Sequence, residues 1–283
     1  MDSISSESVV SSKSSAKTAV ARKRPAKKQV PAGDVQTFRN RLQQFLSERD
    51  DQGRKWADAK YGVYAFYDYS GEPIYVGQSK ERLRTRIQRH LTNQRTDAVA
   101  MRILDVFEVA SVRIWPLWDL ENTPSKRTNA TAFEDASRRL DAAEYTAYLE
   151  AIERSRFGAI LNEKIPPVSA RVQLPPSLDF QLIDDQTRTE RGHADVRIAR
   201  RAETLSRLAA VARERGQVSD GLRRVLVIQA ARLALFSAER LAEIEGREAP
   251  EPSSINMAGL VGSLKYERSD PNGRKSDAND ASV

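Results

Sequence analysis

The stretch Tyr61–Gly77, which reads YGVYAFYDYSGEPIYVG, decides the fold of the first half of this chain. Its first part, Tyr61–Asp68, is rich in aromatic and β-branched residues, as is typical of a strand. Glu72–Gly77 has the same character, and Tyr69-Ser70-Gly71 between the two is a turn signal. The stretch therefore predicts a β-hairpin.

Beyond Gly77 the apolar residues change to a spacing of four, which a helix requires. Leu83, Ile87 and Leu91 form one stripe of a helix from about Lys80 to Thr92. A second helix, a third strand and a long helix are predicted at Asp97–Phe107, Val109–Leu117 and Phe133–Arg156. We expect an α+β domain over residues 60–167, with a small three-stranded antiparallel sheet flanked by helices.

Charge and composition predict the nature of the region before this domain, and they exclude several classes of functional site. The net charge is +7, and residues 1–33 supply +5 of it from seven basic and two acidic residues. Residues 1–33 also lack aromatics, so we expect a disordered basic tail, followed by a helix and linker over 34–59. The absence of cysteine excludes disulfides, thiolate zinc sites and cysteine nucleophiles.

No apolar run approaches the roughly 20 residues needed to cross a bilayer, and the N-terminus has no apolar segment of the secretory type. We therefore expect a cytoplasmic protein with no membrane partner.

The C-terminal part has a different pattern. Residues 168–185 contain two prolines and predict a linker, and residues 186–248 predict a helical hairpin with helices at Thr187–Arg215 and Asp220–Glu245. The first of these helices has a heptad-like seam. Its members are Ile198, Ala202, Leu205, Ala209 and Ala212. Pairing within the hairpin or a homodimer through these helices would explain the seam equally well. Residues 249–283 predict a mostly disordered tail, apart from an apolar patch at 257–264.

Candidate site residues follow the predicted elements in order. Gly62-Val63-Tyr64 and Tyr75-Val76-Gly77 lie on the two strands of the hairpin, with ten residues between the tripeptides. Arg86 and His90 are four residues apart, so they share one face of the next helix. Asn162 closes the domain. Cleavage of a phosphodiester needs an activated water and a cation for the developing charge, which phenols, a guanidinium, an imidazole and a carboxylate can provide.

This arrangement resembles the GIY-YIG nuclease superfamily, which includes homing endonucleases, restriction enzymes and a nucleotide-excision-repair subunit. The resemblance implies that Tyr64, supported by Tyr75, acts as general base or orients the water, with its pKa lowered by Arg86 or the metal. Arg86 would bind the scissile phosphate and His90 would assist proton transfer or hold Tyr64. Asn162 would support the site from behind, and a glutamate would bind a single Mg²⁺ or Mn²⁺.

Two glutamates on the long helix compete for the role of metal ligand. Spacing to Asn162 favours Glu150, as in many relatives. The helical face favours Glu144, because it points toward the apolar side with Leu140 and Tyr148. We prefer Glu144.

The basic side chains near the site are candidates for binding nucleic acid. They are Lys80, Arg82, Arg84 and Arg89. The resulting hypothesis is a metal-dependent endonuclease that hydrolyses DNA by direct attack of water, in restriction, defence or repair. The alternatives are a non-cleaving nucleic-acid-binding protein that retains the fold, and an enzyme that cleaves RNA.

Overall fold

The computed structural model describes residues 33–92, 105–216 and 218–266. One antiparallel sheet has four strands in the spatial order β2-β1-β3-β4. The strands are β1 Gly62–Tyr67, β2 Pro73–Ser79, β3 Ser111–Pro116 and β4 Leu178–Gln181. The α-helices within the described residues are α1 Gly33–Phe45, α2 Leu83–Leu91, α3 Ala130–Arg154, α4 Asp185–Arg191, α5 Ala194–Arg215, α6 Asp220–Glu245 and α7 Met257–Val261.

The predicted α+β class and the β1–β2 hairpin are confirmed, but the prediction of three strands is wrong. The fourth strand, β4, lies inside residues 168–185, which were predicted to be a linker. It pairs with β3 from Ser111↔Gln181 to Ile114↔Leu178. Its Phe180 ring packs against Phe45 of α1, with ring centroids 5.7 Å apart. This edge strand has only four residues and is half exposed, so its apolar signal is weak.

Two predicted helices have different outcomes. Most of the helix predicted at Asp97–Phe107 lies outside the described residues, and the described part contains a 3₁₀ turn at Val106–Glu108. The helix predicted at Thr187–Arg215 is wrong as one unit, because the chain forms α4 and α5 with a break at Gly192. A Cβ atom at Gly192 would lie 2.3 Å from the carbonyl oxygen of Arg188, so this close turn needs glycine.

The seam predicted on α5 is displaced by one residue from the stripe that is buried. The predicted seam residues Ala202 and Ala209 are exposed. The buried stripe consists of Arg197, Arg201, Thr204, Leu208 and Val211. Polar residues thus take three of the five positions of this stripe, and a search for apolar spacing does not find them.

Buried ion pairs explain why arginines occupy this stripe. Arg197 and Arg201 each donate to Asp68 Oδ2 at 2.7 Å, at the turn between β1 and β2. Both guanidinium groups also lie 3.3–3.5 Å from a carboxylate oxygen of Glu108. Buried charges are tolerated when they are paired and hydrogen-bonded, so α5 is held against the sheet by these contacts.

A second buried arginine contact holds α6. Arg232 is 1 % exposed and donates to Glu72 Oε1 at 3.1 Å and to the carbonyl oxygen of Pro73 at 3.2 Å. It also donates to the carbonyl oxygen of Ala159. The helical hairpin therefore packs on both ends of the β1–β2 connection.

The long helix α3 lies across β1 and β2 and presents Leu140, Ala147 and Tyr148 to the core. Part of the predicted C-terminal tail packs on the same helix. The Tyr148 hydroxyl donates to the carbonyl oxygen of Leu264 at 2.8 Å, and Met257 of α7 is buried. Residues 249–266 thus belong to the folded unit rather than to a disordered tail. None of the described helices has the length and apolar character needed to span a membrane.

We predict that Asp68→Asn lowers the free energy of unfolding by about 3–5 kcal/mol, because it removes the carboxylate to which the buried Arg197 and Arg201 guanidiniums both donate and leaves them the more distant Glu108. Urea unfolding followed by circular dichroism measures this change. Asp195→Asn is the matched control, since Asp195 forms an exposed ion pair with Arg240. Equal unfolding midpoints for the two variants would contradict the assignment.

Candidate active site

The site is built on the close approach of β1 and β2 at Gly77. The strand register places Tyr64 opposite Gly77 and Phe66 opposite Tyr75, so the two tyrosines are diagonal neighbours on one face. A Cβ atom at Gly77 would lie 2.6 Å from the Tyr64 hydroxyl oxygen and 2.9 Å from the Tyr75 ring. Only glycine leaves room for the Tyr64 ring to lie across β2.

Tyr64, His90 and Arg86 form one hydrogen-bonded group. The Tyr64 hydroxyl lies 2.8 Å from His90 Nε2 and accepts a hydrogen bond from Arg86 Nε at 3.3 Å. The Tyr75 ring centroid lies 6.1 Å from that of Tyr64 and 5.5 Å from that of His90. The structure thus brings together four of the predicted site residues, from two strands and one face of α2.

Burial differs across this group. Tyr64 is fully buried and His90 is nearly so, whereas Arg86 and Tyr75 are half-buried. The Arg86 guanidinium and the Tyr75 phenol therefore form the exposed side of the group, and the Tyr64 phenol and the His90 imidazole lie beneath them.

Asn162 holds the backbone of β2 in register with the site. Its side-chain amide donates to the carbonyl oxygen of Val76 at 2.8 Å, and its Oδ1 accepts from the Val76 N–H at 3.0 Å. Because Val76 lies between Tyr75 and Gly77, this pair of bonds fixes the part of β2 that carries the site. Asn162 thus lies behind the site, at the place expected from the sequence.

The two candidate glutamates face different surroundings. Glu144 is 9 % exposed and lies beside Gln78 of β2. Burial, and next the nearby Asp141, raise the pKa of Glu144 to about 7, although Gln78 and Arg86 act in the opposite direction.

Glu150 interacts instead with Tyr67, Arg113 and Arg171, away from the hydrogen-bonded group. Glu144 is the glutamate that the structure places with the other predicted residues.

The electrostatics of Tyr64 differ from what the resemblance implies. Burial raises the pKa of Tyr64 well above its usual value, and Tyr75 raises it further. Arg86 lowers the pKa, but by less than burial raises it. Arg86 thus lowers the pKa of Tyr64 as expected, but burial outweighs its effect, so the net pKa of Tyr64 is raised.

The four basic residues predicted to bind nucleic acid differ in the contacts that they make within the protein. Arg84 forms an ion pair with Asp58 at 3.1 Å, and Arg89 pairs with Glu81. Lys80 Nζ donates to Ser137 Oγ at 3.3 Å. Arg82, directly before α2, is exposed. Of the four, Arg82 is the best placed to contact a ligand beside Arg86.

No family model, no curated protein and no solved structure matches this chain. Roles for these residues therefore depend on their geometry and chemistry.

The oxygen atoms available at this site suit a hard cation whose other ligands would be mainly water molecules. Among the described residues, no three His, Asp or Glu side chains group together as a metal site. Glu144 offers one carboxylate, and the Oε1 atom of the adjacent Gln78 is buried without a hydrogen-bond partner. Mg²⁺ binds oxygen and keeps several waters, so one carboxylate beside a free amide oxygen fits it.

Sequence reasoning missed Gln78 and Asp141. Gln78 Nε2 donates to Asp141 Oδ1 at 2.7 Å, and both residues lie beside Glu144. The signal was present, because Gln78 directly follows Gly77 and Asp141 precedes Glu144 by one helical turn.

We predict that Gly77→Ala displaces the Tyr64 ring and destabilises the protein by about 1–3 kcal/mol, as overpacking does. Near-ultraviolet circular dichroism of the tyrosines and urea unfolding measure the two effects. Gly71→Ala is unsuitable as a control because Gly71 has φ 75°. Gly33→Ala is suitable, since open space surrounds Gly33. A Gly77→Ala variant with the wild-type spectrum and stability would contradict the close approach.

A second prediction concerns pH. The folded protein holds the Glu144 proton more tightly than the unfolded chain, because the pKa rises from 4.5 to about 7 on folding. The free energy of unfolding therefore falls as pH rises from 4.5 to about 7, and this group causes no further change at higher pH. Glu144→Gln should remove this loss and stabilise the protein at pH 8 by on the order of 3 kcal/mol, with little gain at pH 4.5.

Thermal unfolding with EDTA at pH 4.5 and pH 8 measures the difference between Glu144→Gln and the wild type. Glu150→Gln is the matched control on the same helix. A gain from Glu144→Gln that is independent of pH would show that Glu144 is not buried in the way described.

Proposed function

We propose that this protein is a metal-dependent endonuclease that hydrolyses phosphodiester bonds in DNA by direct attack of water. The observation that carries the proposal is that Arg86 hydrogen-bonds to Tyr64 while interacting with Glu144. A phenol from β1, an imidazole and a guanidinium from α2 and a carboxylate from α3 thus interact with one another. Such convergence of groups suited to one reaction supports a site better than any of them alone.

Arg86 is the group that binds the scissile phosphate. It is half-buried, and its pKa is raised overall because Tyr64 and Tyr75 outweigh the effect of burial. The guanidinium therefore stays charged, and in a partly dry site it stabilises the extra negative charge of the transition state. Its hydrogen bond to Tyr64 fixes its direction before the substrate binds.

Tyr64 and Tyr75 relay the proton of the attacking water as neutral phenols, and neither acts as a phenolate base. The half-buried Tyr75 hydroxyl hydrogen-bonds with Tyr64, whose hydroxyl lies against His90 Nε2. A proton from the attacking water can pass along this line to His90, with each phenol neutral before and after the transfer. This order suits the high pKa of Tyr64, which makes a stable phenolate unfavourable.

Glu144 is the residue that would hold Mg²⁺ or Mn²⁺. A bound cation of this kind supplies an acidified water and neutralises charge on the phosphate. Asn162 keeps Tyr75 and Gly77 in place through Val76. The protein's basic side chains, among them the exposed Arg82 directly before α2, favour a polyanion such as DNA.

A non-cleaving nucleic-acid-binding protein is the alternative function. The observation that favours it is the complete burial of the Tyr64 side chain, which leaves only Arg86 and Tyr75 to meet a ligand. Restriction, defence and repair are the settings we propose for a cleaving enzyme.

The test is nicking of supercoiled plasmid with Mg²⁺ or Mn²⁺, with single-stranded RNA as a parallel substrate. Arg86→Ala should lower the rate at least ~100-fold, the usual effect of removing a group that stabilises transition-state charge. Arg207→Ala is the matched control, because Arg207 is exposed on α5 and pairs with Glu203. Tight DNA binding by the wild type without metal-dependent nicking would favour the alternative, and cleavage of RNA alone would change the substrate.

A further inference from the structure

Gln78 directly follows Gly77 in β2, and its side-chain amide has a fixed orientation. Its Nε2 atom donates to Asp141 Oδ1 at 2.7 Å. A carboxylate accepts hydrogen bonds and cannot donate them, so the nitrogen of the amide must face Asp141 and the oxygen must face away. Asp141 thereby selects one of the two orientations that the amide of a glutamine can adopt.

The same glutamine contacts the second carboxyl group. The side chain and the backbone of Gln78 both act on the Glu144 carboxyl group and lower its pKa. Asp141 and Glu144 are three residues apart on α3, so their side chains emerge from one face of the helix. A single strand residue therefore bridges two carboxyl groups of the facing helix.

The remaining atom of this amide has no partner. Gln78 Oε1 is buried and no hydrogen-bond donor reaches it within the described part of the chain. Buried amide oxygens are almost always satisfied by protein or by ordered water. Its position beside two carboxyl groups calls for a ligand that brings positive charge or hydrogen-bond donors, as a hydrated divalent cation does.

We propose that Gln78 is a positioning residue of the cation site, which orients the Glu144 carboxylate while Asp141 fixes the Gln78 amide. This inference rests on the proposed role of Glu144 as the cation ligand. Ligating carboxylates are held by hydrogen bonds from a second layer of residues, and loss of such a partner weakens metal binding by about 10- to 100-fold. Gln78 is the donor that meets this need, and its Oε1 atom is a buried acceptor that no protein donor uses.

The experiment measures Mn²⁺ binding to the full chain by calorimetry and by the electron paramagnetic resonance signal of free Mn²⁺. Gln78→Leu, which removes both the donor and the acceptor, should weaken binding about 10- to 100-fold. Asp141→Asn should weaken it less, since the amide keeps a partner but loses its fixed orientation. The controls are Gln88→Leu on α2 and Asp135→Asn on α3, which repeat each chemical change outside the site.

A second readout separates positioning from a general structural defect. If Gln78 acts on the cation, the nicking rate of Gln78→Leu should return to the wild-type rate as Mn²⁺ is raised, whereas a misfolded site would stay slow. Wild-type Mn²⁺ affinity in Gln78→Leu would overturn this inference and leave the nuclease proposal intact. Failure of the wild type to bind Mn²⁺ would overturn both.

Discussion

The absence of a side chain at Gly77 is the constraint on which the candidate site depends. Because nothing occupies that space, the Tyr64 ring lies across β2 and its hydroxyl reaches both His90 and Arg86 on α2. Two strands and a helix thus share one polar group in an otherwise apolar core. The bonds from Asn162 to Val76 keep β2 at this distance, so a residue distant in sequence protects the same contact.

Local periodicity was enough to predict the parts of the fold nearest this contact. Aromatic and β-branched runs on either side of a turn signal located the β1–β2 hairpin, and a spacing of four located α2 and the shared face of Arg86 and His90. The choice of Glu144 over Glu150 also followed from the helical face, and the structure places Glu144 beside Gln78 and Arg86. These features depend on short stretches of chain, where sequence and geometry are directly linked.

Features that depend on distant partners could not be predicted in this way. The short edge strand β4 exists because β3 offers it hydrogen bonds, and its own four residues give little signal. The buried stripe of α5 includes Arg197 and Arg201, which are hidden only because Asp68 and Glu108 meet them. The raised pKa of Tyr64 likewise reflects the depth of burial, which no motif reports.

The buried contact of Arg232 with Glu72 has a consequence for synthesis of the protein. The two residues are 160 positions apart. During translation Glu72 therefore cannot pair with Arg232 until the residues between them have been synthesised and Arg232 has left the ribosome. Until then the sheet bearing Tyr64 and Tyr75 lacks the helices that cover its turn. A nascent chain would therefore complete the packing around this turn only after Arg232 has been synthesised.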